Sequence, residues 1–595
     1  MFGTYEKHNL LKAAFTRESS FWAFYQDFRE PIIGFTVIKD GVMLDSRSNT
    51  FLLETTFNGI SIPYTYYADE SVLRLTTDRG TVEFCLNETD QMRIRGNNIG
   101  LRVVLRAESP FGSAAGCKGI YPTPEGCWEA DMGYSGKILF VPLEGSMHLT
   151  APWDRVMGEY EKVWAEFSPN AANGIFEAAL HEYMDYRKKD QSYLTFDQIR
   201  KGSKKAFDDY VEKNLRKPPK GWEDLFKYVA YVCWSHRTGI AGNYKEQMIM
   251  MQQVWAGYAM SWQQSYNALP MLKNPAEGLR LIKSMFRYQN PDGHVSMTVN
   301  YYNVATGGFQ PAFQALALDW LISQCGDEFL TAEECEYLYP RFEKWLNFWL
   351  THRNAGHGDD RVNIFGAHES GWDDLSLYAE GFPLETPDLF AYMIFLMDNL
   401  ALMAKKLGMK DKEKDWTKRS KKLLNSLLTD LWDGESFVGY LPQKKKIVKC
   451  KSLAMFQCLC LGKERIPQEI IDKLAEEVVK PEYLTDIGLT TESLESPLCH
   501  FGYNFVLGRV ITPSNMLTAM GFYRCGRKDI AKLITERVCK NIYEKGVILG
   551  FAPYDFEITT GKPINTYPNP TASDGWPWNS WAGSSVLTML QVFME

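Results

Sequence analysis

Most signatures of nucleotide, metal and nucleic-acid chemistry are missing from this chain. It contains no Gly-x-x-x-x-Gly-Lys-Ser/Thr loop and no dinucleotide fingerprint, so it lacks the glycine-built cradles that hold phosphates. It has no Gly-x-Ser-x-Gly elbow for a Ser-His-Asp hydrolase. Its nine histidines fall at no ligand spacing and no Cys-x-x-Cys pair occurs, which argues against a zinc site. No metal and no cofactor is expected. The densest basic stretch is Lys444-Lys-Lys-Ile-Val-Lys, and the formal net charge is −8, so nucleic acid is not an expected partner. No run approaches the roughly 20 apolar residues of a membrane span, and Met1–Asn9 has neither the apolar core nor the small-residue cleavage site of a signal peptide. The twelve cysteines follow no disulfide framework; they read as reduced core residues of a cytoplasmic protein.

What the chain has in quantity is aromatic side chains: 17 Trp, 31 Tyr and 34 Phe in 595 residues. Most must fill large cores, but flat apolar faces also suit the C–H surface of a sugar ring. The most informative segment is Glu369-Ser-Gly-Trp-Asp-Asp-Leu-Ser, with three carboxylates, a tryptophan and a turn-permitting glycine in close succession. Glycosidic cleavage needs a carboxylic acid to protonate the leaving oxygen and a second carboxylate across the ring. A second cluster, Gly575-Trp-Pro-Trp-Asn-Ser-Trp-Ala-Gly583, lies near the end. Taken locally, each cluster is equally a solvated turn beside a packed tryptophan.

The period of the apolar residues divides the chain. Val82, Phe84 and Leu86, then Met92 and Ile94, then Leu101, Val103 and Leu105 alternate as in strands, with Asp78-Arg-Gly80 as a hairpin turn. This predicts an N-terminal antiparallel β-sandwich over 1–150, then a linker with a short helix over 151–171. From about 172 the period becomes 3.6. Helices are expected near 275–289, 311–325, 331–352, 386–408, 412–432, 467–478, 513–525, 527–544 and 580–594. The helix after Thr386-Pro387-Asp388 carries an N-cap hydroxyl, a proline at its first position and an acid in its first turn. Helix pairs separated by long loops rich in Gly, Trp, Asp and Glu predict a mainly α domain over 172–595, an (α/α)6 toroid with a cleft at one rim.

Several segments, in shared order and spacing, resemble the inverting (α/α)6-barrel glycosidases of glycoside hydrolase family 63, relatives of the family 37 trehalases. They are Ser261-Trp-Gln-Gln-Ser-Tyr-Asn, Tyr288-Gln-Asn-Pro-Asp-Gly-His, Gln310-Pro-Ala-Phe, Glu369-Ser-Gly-Trp-Asp-Asp, Pro387 to Gly408, and Gly488-Leu-Thr-Thr-Glu. The resemblance spans roughly 160–595 and implies an inverting hydrolase of small α-linked glucosides or oligosaccharides. It implies that Asp373 is the general acid. Trp372 and the neighbouring Asp374 would both keep its carboxyl protonated; Asp374 itself is the alternative acid. The general base implied is Glu557. The family's Glu-x-Tyr-x-Pro-x-Thr-Gly resembles Tyr554-Asp-Phe-Glu-Ile-Thr-Thr-Gly here, but an ungapped match puts Tyr554 where the Glu belongs. Asp555, Glu492 and Glu495 therefore stay open as the base.

The chain departs from the family pattern elsewhere. Gln263 replaces an Asp after Trp262, Leu375-Ser-Leu replaces an expected Arg, and Gly508-Arg-Val-Ile-Thr-Pro lacks its Trp. These departures imply an altered sugar preference. Candidate substrate-binding residues are Trp255, Trp262, Trp372, Trp576, Trp578 and Trp581 for stacking, Gln263 and Gln264 for hydroxyls, His294 at the cleft, and His368 and Glu369 around the acid loop. Each has a plainer role in packing, capping or loop support; Glu369 is expected to fix its loop rather than react. Two other readings remain. One is another sugar-active toroid (an epimerase using two of His294, His368 and His500, a phosphorylase or a lyase); the other is a non-catalytic carbohydrate-binding protein.

Overall fold

The computed structural model describes the chain except for residues 1–7, 11–12, 27–31, 40–49, 89, 106–116, 134–135, 252–256, 356–358, 499–505, 546–553, 557–562, 566–578 and 595. Trp255, His500, Glu557, Trp576 and Trp578 thus lie outside the described residues.

The N-terminal part is two antiparallel sheets. One orders its strands Trp22–Gln26, Ile33–Val37, Phe51–Phe57, Gly100–Leu105, Trp164–Ser168, Ser146–Thr150. The other runs Gly119–Pro122, Trp128–Asp131, Lys137–Glu144, Ile175–Tyr183, Gln91–Asn97, Thr81–Leu86, Leu73–Thr76, Thr65–Ala68. Phenylalanines join the two across the middle: Phe24 meets Phe84 at 5.1 Å, Phe51 meets Phe140 at 6.0 Å, and Phe167 meets Phe176 at 5.9 Å between ring centres. The predicted turn at Asp78–Gly80 connects Leu73–Thr76 to Thr81–Leu86, closed by Thr77 N–H donating to the Gly80 carbonyl.

The expected linker is a correction. Residues 151–171 hold no helix; Trp153–Asp154, Glu159–Tyr160 and Trp164–Ser168 are strands. Ile175–Tyr183, taken as the start of the helical part, is a strand in the middle of the second sheet. Phe176, Ala178 and Leu180 face the sandwich core with period 2. The alternation was present, but broken by Ala179 and His181, which are buried on the other face.

The helices are α1 (Phe196–Asn214), α2 (Glu223–Ser235), α3 (Ser261–Ala268), α4 (Pro275–Ser284), α5 (Phe313–Cys325), α6 (Ala332–His352), α7 (Pro387–Lys406), α8 (Lys410–Asp430), α9 (Gln468–Val478), α10 (Thr512–Arg524), α11 (Lys528–Lys545) and α12 (Ser580–Val592). A 3-10 segment, Leu453–Leu461, was not foreseen. Packing runs from α3 to α5, α5 to α7, α7 to Leu453–Leu461, on to α10, then α12, and α12 returns to α3. These six segments are nearly all buried; α3 and α12 contain no charged residue. The helices between them are amphipathic: α8 buries Trp416, Ser420, Leu423 and Leu427, one stripe at spacings of four and three.

Helix α7 is long and apolar enough to cross a membrane, which corrects the expectation of no such run. It is apolar on all sides because α5, α6, α8 and Leu453–Leu461 surround it.

Long segments precede the N-termini of α3, α5, α7, α10 and α12, and several meet one another. Ser580 N–H donates to the Met251 carbonyl at 2.9 Å, and Asp374 bonds to residues 506 and 507. The sandwich is fastened to the helical part through Lys39. It pairs with the buried Glu182, lies 4.6 Å from the ring centre of Tyr301, and its carbonyl accepts from Tyr301 N–H.

Candidate active site

The acid motif forms a compact turn ahead of α7. Ser370 Oγ donates to the Ala367 carbonyl at 2.6 Å and accepts from Trp372 N–H at 3.0 Å. Gly371 has φ +77, and a Cβ there would fall inside the Trp262 indole, so only glycine fits. Asp373 follows with φ +41, in the left-handed region that Asp and Asn tolerate best. Asp374 N–H closes back onto the Trp372 carbonyl at 2.6 Å. The backbone reverses here, so adjacent carboxylates diverge.

Their fates differ accordingly. Asp374 Oδ1 accepts from the backbone N–H groups of Val506 (2.7 Å) and Leu507 (3.1 Å), clamping the acid turn to the segment before α10. Glu369 is 2 % exposed and holds Arg353 bidentately at 2.9 and 3.0 Å, while also accepting from Phe365 N–H at 2.9 Å. The Arg353 guanidinium sits between Phe309, Phe348 and Phe365, at 4.8, 5.4 and 4.9 Å. Glu369 is therefore a strut. Asp373 is half-buried, and burial, reinforced by the charge of Asp374 and only partly offset by His368, raises its pKa to about 6. Burial therefore keeps the Asp373 carboxyl protonated at higher pH than a free aspartate.

Trp262, Trp372 and Trp581 converge behind this turn, each 1 % exposed. Trp372 stands edge-on to Trp262 at 5.0 Å, and Trp581 lies 5.3 Å from Trp262 and 6.2 Å from Trp372. Distant parts of the sequence thus build one aromatic wall, packed on itself. The Trp372 Nε1–H donates to Gln457 Oε1 at 3.2 Å.

The other predicted residues separate. Gln263 is buried on α3, and its Oε1 has no hydrogen-bond partner among the described residues. Gln264 is committed to the backbone of Ile249, accepting from its N–H at 3.1 Å and donating to its carbonyl. His294 contacts Asp292 (2.7 Å) through Nδ1 and the Thr306 carbonyl (2.7 Å) through Nε2, which holds a loop together. His368 is exposed beside Asp373. Of the reserve bases, Glu495 is exposed and pairs with Lys451. Glu492 is wholly buried, accepts from Ser376 Oγ at 2.8 Å, and burial raises its pKa. Asp555 lies in the short hairpin Tyr554–Phe556 with Pro563–Asn565.

Some neighbours of the site went unnoticed in the sequence. The Tyr258 phenol has its pKa pushed up to about 12 by burial and by the Asp373 carboxylate. Tyr378 is buried and feels both Asp388 and Asp373. Asp388, read only as a first-turn acid, is 2 % exposed with a pKa raised to about 6 by burial, and its Oδ1 has no partner among the described residues. Gln457 is the one strongly polar side chain in the run Leu453-Ala-Met-Phe-Gln-Cys-Leu-Cys-Leu461; that isolation was its signal. Among the described residues no cluster of His, Cys, Asp and Glu could hold a metal ion. The eleven described cysteines are all free.

Residues 357–562, which include this turn, match the family model described as the mannosylglycerate hydrolase MGH1-like glycoside hydrolase domain. The chain carries a glycoside hydrolase domain. The resemblance to family 63 glycosidases read from the motifs is thus met by a family model covering the acid turn. The fold has counterparts among solved structures. A bacterial glucoamylase complexed with acarbose matches over 100% of this chain and 94% of its own, with TM-score 0.59 and 11% identity. A family 63 mannosylglycerate hydrolase from Thermus thermophilus, in complex with glucose, matches over 61% of this chain and 99% of its own, with TM-score 0.50 and 16% identity. A family 92 glycosyl hydrolase matches over 98% and 86%, with TM-score 0.51 and 10% identity. No curated protein matches the chain. At these identities the likeness to these structures is one of fold alone.

Proposed function

We propose that the protein is an inverting, exo-acting glycosidase of small α-linked glucosides or oligosaccharides, built on an (α/α)6 toroid, with Asp373 as general acid and Glu557 as general base. The observation that carries this reading is the division of labour in the acid turn. Asp374 and Glu369 are spent on backbone and arginine, whereas Asp373 is left half-buried with its pKa raised to about 6. A carboxylic acid that keeps its proton up to about pH 6 can supply it to a departing sugar alkoxide. The return of α12 to α3 supports the closed toroid. Asp373 would donate its proton to the glycosidic oxygen as the C–O bond breaks. The base would take a proton from water attacking the opposite face of the ring, and an inverting pair stands roughly 6.5–9.5 Å apart to admit that water. A cytoplasmic location is proposed on the cysteines, which are all free among the described residues.

A second reading changes only the substrate. The family model is named for a mannosylglycerate hydrolase, which favours a mannosyl glycoside with a small polar aglycone. The test is hydrolysis of a panel of aryl glycosides, disaccharides and mannosylglycerate, with proton NMR of the first-formed anomer. Inverted product from wild type, and none from Asp373→Asn, is expected. Retained configuration would overturn the mechanism, and no cleavage of any member would overturn the glycosidase reading.

A further inference from the structure

Gln457 lies in the inner 3-10 segment and is 4 % exposed. Its Oε1 accepts two hydrogen bonds, from Trp372 Nε1 at 3.2 Å and from Tyr392 Oη at 3.4 Å. An indole N–H can only donate, so it demands the carbonyl oxygen of the amide and fixes which end faces it. The NH2 group is therefore turned the other way, and Nε2 donates to no described residue. An amide nitrogen held in this direction keeps its two protons available to an acceptor brought in from outside the protein. Trp372, which sets this orientation, is the residue immediately before Asp373.

We propose that Gln457 is a substrate-binding and specificity-determining residue: its Nε2 donates to a hydroxyl oxygen of the uncharged sugar ring whose glycosidic oxygen Asp373 protonates. This rests on the glycosidase reading above and deepens it. A hydroxyl is the suitable partner because it accepts from Gln457 and still has a proton to give. Gln263, also buried, offers an acceptor oxygen without a donor. A sugar carboxylate could accept from Gln457 but would bring a second negative charge beside Asp373 and Asp374.

The test couples the residue to individual hydroxyls. Wild type and Gln457→Met are assayed on the accepted glycoside and on its series of monodeoxy analogues, with melting temperatures to confirm folding. In wild type, removal of one particular hydroxyl should lower kcat/KM at least tenfold, and Gln457→Met should lower it similarly on the parent. On that one deoxy substrate the variant should lose little further, because the partner is already gone. A purely structural Gln457 would give the same loss on every analogue, with no coupling to any hydroxyl, and that result overturns the proposal. Gln457→Glu serves as a second variant. It keeps the acceptor for Trp372 and Tyr392 and, once ionised, removes the donor, so calorimetric binding of the parent monosaccharide should weaken at least tenfold as pH rises in this variant and not in wild type; binding as tight as wild type at every pH would also refute it. If wild type hydrolyses nothing, the glycosidase reading fails by itself. Calorimetric titration of the parent monosaccharide and its deoxy forms then still decides: coupling to one hydroxyl supports the contact, and equal loss on all of them refutes it.

Discussion

Replacing Asp373 by Asn should make the protein more stable and inactive at once. Asn keeps the size of the side chain and tolerates the φ of +41 as well as Asp does, so the turn need not move. What changes is the charge. Raising the carboxyl from 3.8 to about 6 means that the folded state resists ionisation by about 3 kcal/mol, an upper figure for a group that retains some solvent contact. The sign follows from linkage. Below pH 3.8 the group is protonated in folded and unfolded chains alike and costs nothing. Between 3.8 and about 6 the unfolded chain ionises first, so stability falls as pH rises, and above about 6 the full cost is present. Thermal melts of wild type and Asp373→Asn at pH 4 and pH 7.5 read this directly. At pH 4, where the cost has only begun, they should lie close together. At pH 7.5 the variant should melt several degrees higher, since each kcal/mol shifts a large domain by a few degrees. Wild-type kcat should fall along an alkaline limb near pH 6, and the variant should lose at least 100-fold. A variant that melts at or below wild type at pH 7.5, or that keeps its activity, would refute the assignment of Asp373 as a strained, protonated acid.

Gly371→Ala should abolish activity and cost about 3 kcal/mol or more, because a methyl group would collide with Trp262 at a φ of +77; chemical denaturation measures the cost, and a variant within about 1 kcal/mol of wild type would contradict the close packing. Arg353→Met leaves Glu369 buried without its partner and should destabilise by about 3–5 kcal/mol at pH 7, an effect that Glu369→Gln in the same chain should partly reverse. Glu557→Gln should reduce hydrolysis at least 100-fold without altering binding of product sugar. Near-normal turnover would transfer the role of base to Asp555, with Asp555→Asn as the deciding variant.

The helices were legible because their signals are local. The Thr386-Pro387-Asp388 start fell within a residue of the observed α7, and the leucine stripe of α8 was a repeating pattern needing no knowledge of its partners. The strands at 164–168 and 175–183 were not legible in the same way. Trp164–Ser168 is short, Ile175–Tyr183 is buried on both faces, and each has one partner strand far back in the chain, Phe167 opposite Leu101 and Ile175 opposite Asn97. The Leu453–Leu461 segment is apolar on every side, so it carries no period to read. The acid motif was visible because its three carboxylates, Glu369, Asp373 and Asp374, fall within one turn-length segment.

The sequence by itself determined the composition of the acid turn, the glycine it requires and the order of the elements around it, since these depend on neighbours within a few residues. Only the tertiary structure decided which carboxylate is which. Asp373 and Asp374 are adjacent and chemically identical. They differ because Asp374 reaches two backbone N–H groups at 506 and 507 while Asp373 is left to burial and to the charge of its neighbour. The same holds for Gln457, an ordinary amide until Trp372 and Tyr392 fix its direction. Desolvation and hydrogen-bond partners are properties of the surroundings, and here those surroundings are assembled from residues hundreds of positions apart.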